Sequence, residues 1–267
     1  MTNTKLNIIK LNIITAILPL IFISCIPDNQ VNPDLNNNTN PEITQRFKDK
    51  SQESKNPVHS YQEYQNLKIE IEKHQGNTAA KLQAIKNYLE NQKKKETEGV
   101  AKVDAEIAKV GTQSDFLKTF TTNSNYATSE KDLLLMKRII YSSLYYNTTI
   151  VKKLYEILEK LNANPQHKEV VTNLLYRIAL GTQLELDKHL ETITKEPLPP
   201  PPNQEKYEDE EEELLEFSKN DLKRKDSFGK ALNKTINDYN SNFDKIKTDV
   251  GKLASYMNKQ FSSYDFQ

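Results

Sequence analysis

The chain has one cysteine, no tryptophan and six glycines in 267 residues. A lone cysteine excludes a disulfide framework, so the fold must rest on packing. Six glycines are too few for phosphate-cradling loops, and neither G-x-G-x-x-G nor G-x-x-x-x-G-K-[ST] occurs. Proline is missing from Val58 to Asn164 and again from Asn203 to Gln267. Long proline-free, glycine-poor tracts rich in Lys, Glu, Leu and Asn read as helix. An excess of one charge is missing too, with 37 basic against 37 acidic side chains. That balance gives no electrostatic case for nucleic acid as a partner. Hydrophobic content is low at 36% and charged content is 28%. Such a chain folds only if its apolar residues are gathered into stripes.

The most informative segment that is present is the first. Lys5 and Lys10 make a short basic head, Leu11 to Ser24 is almost wholly apolar, and Cys25 follows at once. A basic head, a short apolar core and a small residue before a cut describe a signal peptide over residues 1–24. The apolar core is too short to span a ~30 Å hydrocarbon layer unaided. Cys25 then reads as a lipidation site. Acyl chains at ~0.8 kcal/mol per buried CH₂ would anchor the chain to a membrane. Removal of the leader takes away two lysines and no acid. That leaves 35 basic against 37 acidic side chains, net −2. The expected location is the outer membrane, surface-exposed and lipid-anchored.

Residues 25–58 carry Pro27, Pro33, Pro41 and Pro57 among Asn, Asp, Thr and Ser, with no apolar period. This reads as a flexible, disordered tether reaching roughly 30 Å. Residues 59–267 are expected to form a single all-α domain, a multi-helix bundle with long amphipathic helices. Tyr64, Leu67 and Ile71 form one stripe before Gly76. Leu82, Ile85 and Leu89 form a second. A third, Val100, Val103, Ile107 and Val110, follows a polar stretch with Gly99. Asp115 to Phe120 is a compact aromatic anchor, expected to pack under the helices. Ser129 with Asp132 has the spacing of a capping box. The stripe Leu133, Met136, Ile140, Leu144, Asn147, Val151, Leu154, Leu158 and Leu161 predicts one long helix, ended at Asn164-Pro165. Val171, Leu175, Ile178, Leu186, Leu190 and Ile193 predict another, weakened in its middle by Gly181 and Thr182.

The proline run in 197–203 reads as a stiff connector inside the domain. The acidic run Glu208 to Glu213 follows. It reads as a solvated helix start, or more sharply as a contact for a divalent cation or a basic host protein. The C-terminal segment is the most regular. Leu232, Tyr239, Ile246 and Leu253 are seven apart, as are Ile236, Phe243, Val250 and Met257. Interleaved, these eight residues make the a and d positions of a coiled-coil pattern. They are the candidate interface. They predict one continuous helix over 230–260 that buries this face in its own bundle or against a second copy.

No catalytic constellation is recognised, and an enzyme is not expected. His59, His74, His167 and His189 lie far apart with no H-E-x-x-H and no paired spacing. Asp238, Asn240, Asn242 and Asp249 imitate an EF-hand loop but put Phe243 where glycine is needed, so that reading is rejected. No metal site and no cofactor are expected.

The leader Lys5-Leu6-Asn7-Ile8-Ile9-Lys10-Leu11-Asn12-Ile13-Ile14-Thr15-Ala16-Ile17-Leu18, the Ile23-Ser24-Cys25 cut and the Asn/Asp-rich tether resemble a paralogous family of Borrelia outer surface lipoproteins. That family includes the complement regulator-acquiring surface protein that binds factor H. Asp115 to Phe120 and the helix ending near Leu161 look similar to the family's body. The resemblance implies an all-helical domain displayed on the spirochaete surface, working at the host or tick interface. Its implied partners are host complement or matrix proteins. It also implies a role for the C-terminal helix in binding and in a homodimer. The function expected is interference with complement, by regulator capture or terminal-pathway inhibition. The alternative is adhesion to a host or tick component, or a coat lipoprotein without a specific ligand. The proline run and its acidic sequel depart from the family pattern, and no binding residue is carried over.

Overall fold

The structure, a computed structural model, describes residues 58–109, 115–123, 128–195 and 204–262. The leader, Cys25, the tether to Pro57 and the connector 197–203 lie outside the described residues. Every described element is helical: α1 Val58–Lys73, α2 Thr78–Lys109, α3 Phe116–Thr122, α4 Glu130–Ser143, α5 Thr148–Asn162, α6 Lys168–Thr172, a π-helical segment Asn173–Leu180, α7 Gly181–Thr194, α8 Gln204–Asn240, a 3₁₀ turn Phe243–Lys245 and α9 Val250–Phe261. The expected all-α bundle is therefore the architecture found.

Local chemistry sets the boundaries. Gly76 turns the chain after α1 with φ +74°, a left-handed conformation that glycine adopts without steric cost. Asn77 then caps α2, accepting a hydrogen bond from the Ala80 N–H at 2.9 Å. Asp115 caps α3, and Phe116 and Phe120 stack beneath the bundle with ring centroids 5.6 Å apart. The capping box at Ser129 and Asp132 forms as its spacing predicts.

Two apolar clusters hold the bundle together. The larger joins the C-terminal half of α2 with α3, α4, α5, α6, the π segment, α9 and the α8 residues from Phe228 onward. The smaller joins α1, the first half of α2, Leu186 and Leu190 of α7, and Leu215 and Leu222 of α8. In α5 alone, Val151, Leu154, Tyr155, Ile157, Leu158 and Leu161 are all fully buried. Burial of a large apolar side chain is worth ~1.5–3 kcal/mol, so this face is a main source of stability.

Three boundaries differ from the sequence reading. First, α2 runs without a break through Gly99. The ring of Tyr146 lies against that glycine, and a Cβ there would fall 2.3 Å from Tyr146 Cε1. Gly99 is thus a close-approach position, not an interruption.

Second, the stripe from Leu133 to Leu161 spans two helices. Tyr145 and Tyr146 take φ values of 55° and 54°, and the chain turns there. Asn147, counted as a stripe residue, caps α5 by accepting from the N–H groups of Thr149 and Ile150 at 3.0 and 3.2 Å. The run Tyr-Tyr-Asn-Thr-Thr is poor in helix formers, and the Asn side chain competes for backbone donors. The turn keeps the phase of the apolar stripe, so periodicity alone did not reveal it.

Third, residues 230–260 are not one helix. α8 ends at Asn240, and Asn242, Asp244 and Lys245 all have positive φ. Asn242 Oδ1 accepts from the Lys247 N–H at 2.9 Å, and Asp249 caps α9. Asn and Asp favour such left-handed, self-bonded turns. α9 then folds back along α8. The Tyr256 hydroxyl donates to Asp238 at 2.6 Å, and Phe261 meets Phe228 with centroids 5.9 Å apart.

Candidate interaction surface

The fold-back decides where the eight heptad residues lie. Leu232, Ile236, Tyr239, Ile246, Leu253 and Met257 are buried in the chain's own core, and Val250 packs at its edge. Phe243 alone points outward, at 57% exposure. Its exposure follows from its position between Asn242 and Asp244, whose left-handed backbone turns it away from the apolar face.

Phe243 stands over an open groove of ≈ 800 Å³ between the turn and α9. Charged side chains ring it. Lys234 pairs with Asp238 at 2.6 Å and lies 5.9 and 5.8 Å from the Phe243 and Tyr256 ring centroids. Lys252 donates to Asp244 at 2.8 Å. That bond holds the exposed Asp244 carboxyl below its ordinary pKa. An exposed aromatic ring set among paired charges suits contact with a protein surface better than enclosure of a small molecule. Nearby, Tyr239 donates to Glu156 at 3.1 Å. Burial and this carboxylate push its phenol pKa up to about 12.

The acidic run lies in the opening turns of α8. Asp209, Glu210, Glu212 and Glu213 are exposed and Glu211 is partly covered. The run and the Phe243 turn sit at opposite ends of α8, 30 residues or more apart in sequence, so they are two separate surfaces.

Sequence reasoning missed the buried polar residues. On α4, Arg138 Nε donates to Glu96 at 3.1 Å, and Nη1 donates to both Asp187 oxygens at 3.0 and 2.9 Å. Lys225 donates to Glu96 and, at 3.0 Å, to Gln183. Gln183 donates to Asp187 at 3.0 Å. Four helices thus meet in one network. Burial alone would raise the Asp187 pKa, but the bonds and charge of Arg138 outweigh it and hold it low. A second set ties Lys137 to Asp104 at 2.7 Å and to Asp115, with Tyr141 and Tyr155 bonded to each other at 2.6 Å. A cavity of ≈ 140 Å³ beside the first network is lined by Tyr64, Tyr88, Tyr145 and Asp226 among others.

One described group of side chains has metal-ligand character. Glu185 and His189 on α7 and Asp221 on α8 each bring a ligating atom within 4.8 Å of the other two. His189 Nε2 and Asp221 Oδ2 are hydrogen-bonded at 2.8 Å, and Arg224 Nη1 donates to Asp221 Oδ1 at 3.1 Å. The sequence reading looked for paired histidines. The signal was Glu185 and His189 four apart on one helix face.

These features define an all-helical bundle that presents charged helix faces and an aromatic-tipped turn. Solved structures of the same build include the membrane attack complex assembly inhibitor BGA71 from the Lyme disease agent Borreliella bavariensis. It is 33% identical, with 69% of this chain and 99% of that one covered and a TM-score of 0.58. The native-data structure of the same inhibitor gives the same identity and a TM-score of 0.56. The Borrelia burgdorferi outer surface lipoprotein BBA64 also matches, at 20% identity over 67% of this chain and 83% of that one, with a TM-score of 0.41. No curated protein matches the sequence. Residues 90–197 match the family described as Borrelia Bbcrasp-1 domain containing protein. The chain belongs to this Borrelia family.

Proposed function

We propose that the protein is a non-catalytic, lipid-anchored surface protein of the spirochaete that binds host complement proteins and interferes with membrane attack complex assembly. The observation that carries this reading is the 33% identity to BGA71 over 99% of that inhibitor's chain. The geometry is compatible: the exposed features are helix faces, an acidic helix start and the Phe243 turn, all suited to extended protein contacts. Cys25 supplies the anchor in this reading, and residues 26–57 the reach from the membrane. A homodimer through the C-terminal segment would have Phe243 as its exposed apolar side chain, because the rest of the heptad face is in the core.

The test is expression of the chain in a serum-sensitive spirochaete, with killing and deposition of the complete attack complex measured in human serum. Surface plasmon resonance against C7, C8, C9 and factor H identifies the component. The reading expects survival, reduced complex deposition and saturable binding to at least one of these proteins. Unprotected cells together with no binding to any of the four would overturn it and leave adhesion as the function to pursue.

A further inference from the structure

We propose that Glu185, His189 and Asp221 form a binding site for a divalent transition metal, with zinc the ion that fits best. The ligand set is one imidazole nitrogen and two carboxylates. Zinc accepts this mixture and binds with three protein ligands and a water in open sites. Calcium and magnesium ask for all-oxygen shells with more ligands.

The metrics agree. A tetrahedral ion with bonds of about 2.1 Å holds its ligand atoms about 3.4 Å apart. Here one ligating atom from each residue already lies within 4.8 Å of the others. The pair at 2.8 Å needs to open by well under 1 Å. Glu185 and His189 share a face of α7, so no backbone movement is required to bring them to one ion. On the other side, Arg224 holds the second oxygen of Asp221 and leaves the first for the metal.

Charge and burial point the same way. His189 and Asp221 are 8% and 7% exposed. Glu185 and Asp221 bring two negative charges, and Arg224 donates to Asp221 at 3.1 Å. The contact of Lys188 with Glu185, at 3.4 Å, is long. Ser218 gives an independent observation. It lies one turn before Asp221 on α8, it is fully buried, and its hydroxyl has no hydrogen-bond partner among the described residues. Buried hydroxyls are normally satisfied, and a metal-bound water is a partner of the right kind.

Metal binding replaces the hydrogen between Nε2 and Oδ2. The neutral imidazole moves to its Nδ1–H tautomer, or an imidazolium releases one proton to solvent, and no electron is transferred. The consequence is mechanical. α7 ends at Thr194 and α8 begins at Gln204, so the ion clamps the helix pair that carries the acidic run.

The test is calorimetric titration of the full chain, chelator-stripped and in detergent, with zinc, manganese and calcium chlorides. One saturable zinc site per chain is expected, with calcium far weaker. Cobalt substituted for zinc should give the intense visible bands of a tetrahedral site. Glu185→Gln, at a position 39% exposed and so safe for folding, should weaken zinc about 10–100-fold, at least the loss seen when a supporting partner is removed. His189→Gln should abolish the site, and His167→Gln should leave it unchanged. The absence of a saturable zinc site, or zinc affinity unaltered by Glu185→Gln, overturns the proposal.

Discussion

Replacement of Arg138 by methionine tests the buried network most directly. Arg138 is 3% exposed and donates three hydrogen bonds to two carboxylates. Methionine roughly fills its volume but removes the charge. Glu96, with no exposed surface, keeps only Lys225. Asp187 keeps Gln183 and a 3.4 Å contact with the half-exposed Lys93. Breaking a buried ion pair from one side costs about 3–5 kcal/mol, because the remaining charge stays in a poorly solvating site. Small domains carry only ~5–15 kcal/mol in total. At about 2–4 °C per kcal/mol for a domain of this size, the melting temperature should fall by about 6–20 °C. Urea unfolding followed by circular dichroism gives the free energy. Adding Glu96→Gln and Asp187→Asn should recover part of the loss, since no bare carboxylate is then buried. The pH dependence has a definite sign. The folded-state pKa of Asp187 is held below its ordinary 3.8. Its stabilising contribution is complete above the ordinary carboxylate range and is lost as pH falls through the lower folded value. Arg138→Met should move the onset of acid unfolding to higher pH. A loss under about 1 kcal/mol with no shift of the acid limb would refute the claim that this network carries stability.

Four further outcomes are expected. Gly99→Ala gains about 1 kcal/mol of helix propensity. It also drives a methyl into Tyr146, whose turn cannot give way, at about 1–3 kcal/mol. The net change in urea unfolding should be a loss, reversed to a gain when Tyr146 is also replaced by alanine. Leu253→Ala, at a fully buried position, should cost about 2–5 kcal/mol. Phe243→Ser should leave the melting temperature unchanged while weakening partner binding measured by surface plasmon resonance. Cys25→Ala should release the protein from membranes and abolish palmitate labelling. A mutant that still partitions into detergent would show that Cys25 is not the anchor.

The fold class was legible because apolar steps of three and four survive wherever a helix buries one face. What the steps do not register is a turn that preserves their phase. Leu144, Asn147 and Val151 stay three and four apart through the turn made by Tyr145 and Tyr146. Leu232 to Met257 keep a seven-residue period although α8 and α9 are antiparallel. In both places the clue was local chemistry: Asn, Ser, Thr and Asp side chains that bond to backbone and cap the next helix. The polar stretch with Gly99 misled for the opposite reason. Glu96 occupies a core position of the α2 stripe, and a charge there looks like a break until its partners on α4 and α8 are known. The metal-ligand cluster joins residues 32 apart on two helices. Its Glu-x-x-x-His half was visible, but its aspartate was not.

The placement of Glu96, Gln183 and Lys225 explains how a chain this polar holds one arrangement. On α2, the smaller apolar cluster ends at Leu89 and the larger begins at Val100, with Glu96 between. On α8 the corresponding residues are Leu222 and Phe228, with Lys225 between. Along the π segment and α7 they are Ala179 and Leu186, with Gln183 between. Arg138 closes this layer from α4. Apolar stripes alone permit one helix to slide past another by a turn at modest cost, since leucine can replace leucine. A slide here would separate Glu96 from Arg138 and Lys225 together and strand buried charge, at several kcal/mol. The layer therefore fixes helix register from inside. Solvent-facing side chains then carry little of the folding free energy, and substitution there typically changes stability by under ~0.5 kcal/mol. A bundle so constructed can change its outer faces, the acidic start of α8 and the Phe243 turn with little effect on the fold. The ligand preference of such a protein is accordingly to be sought on those surfaces and not in the core.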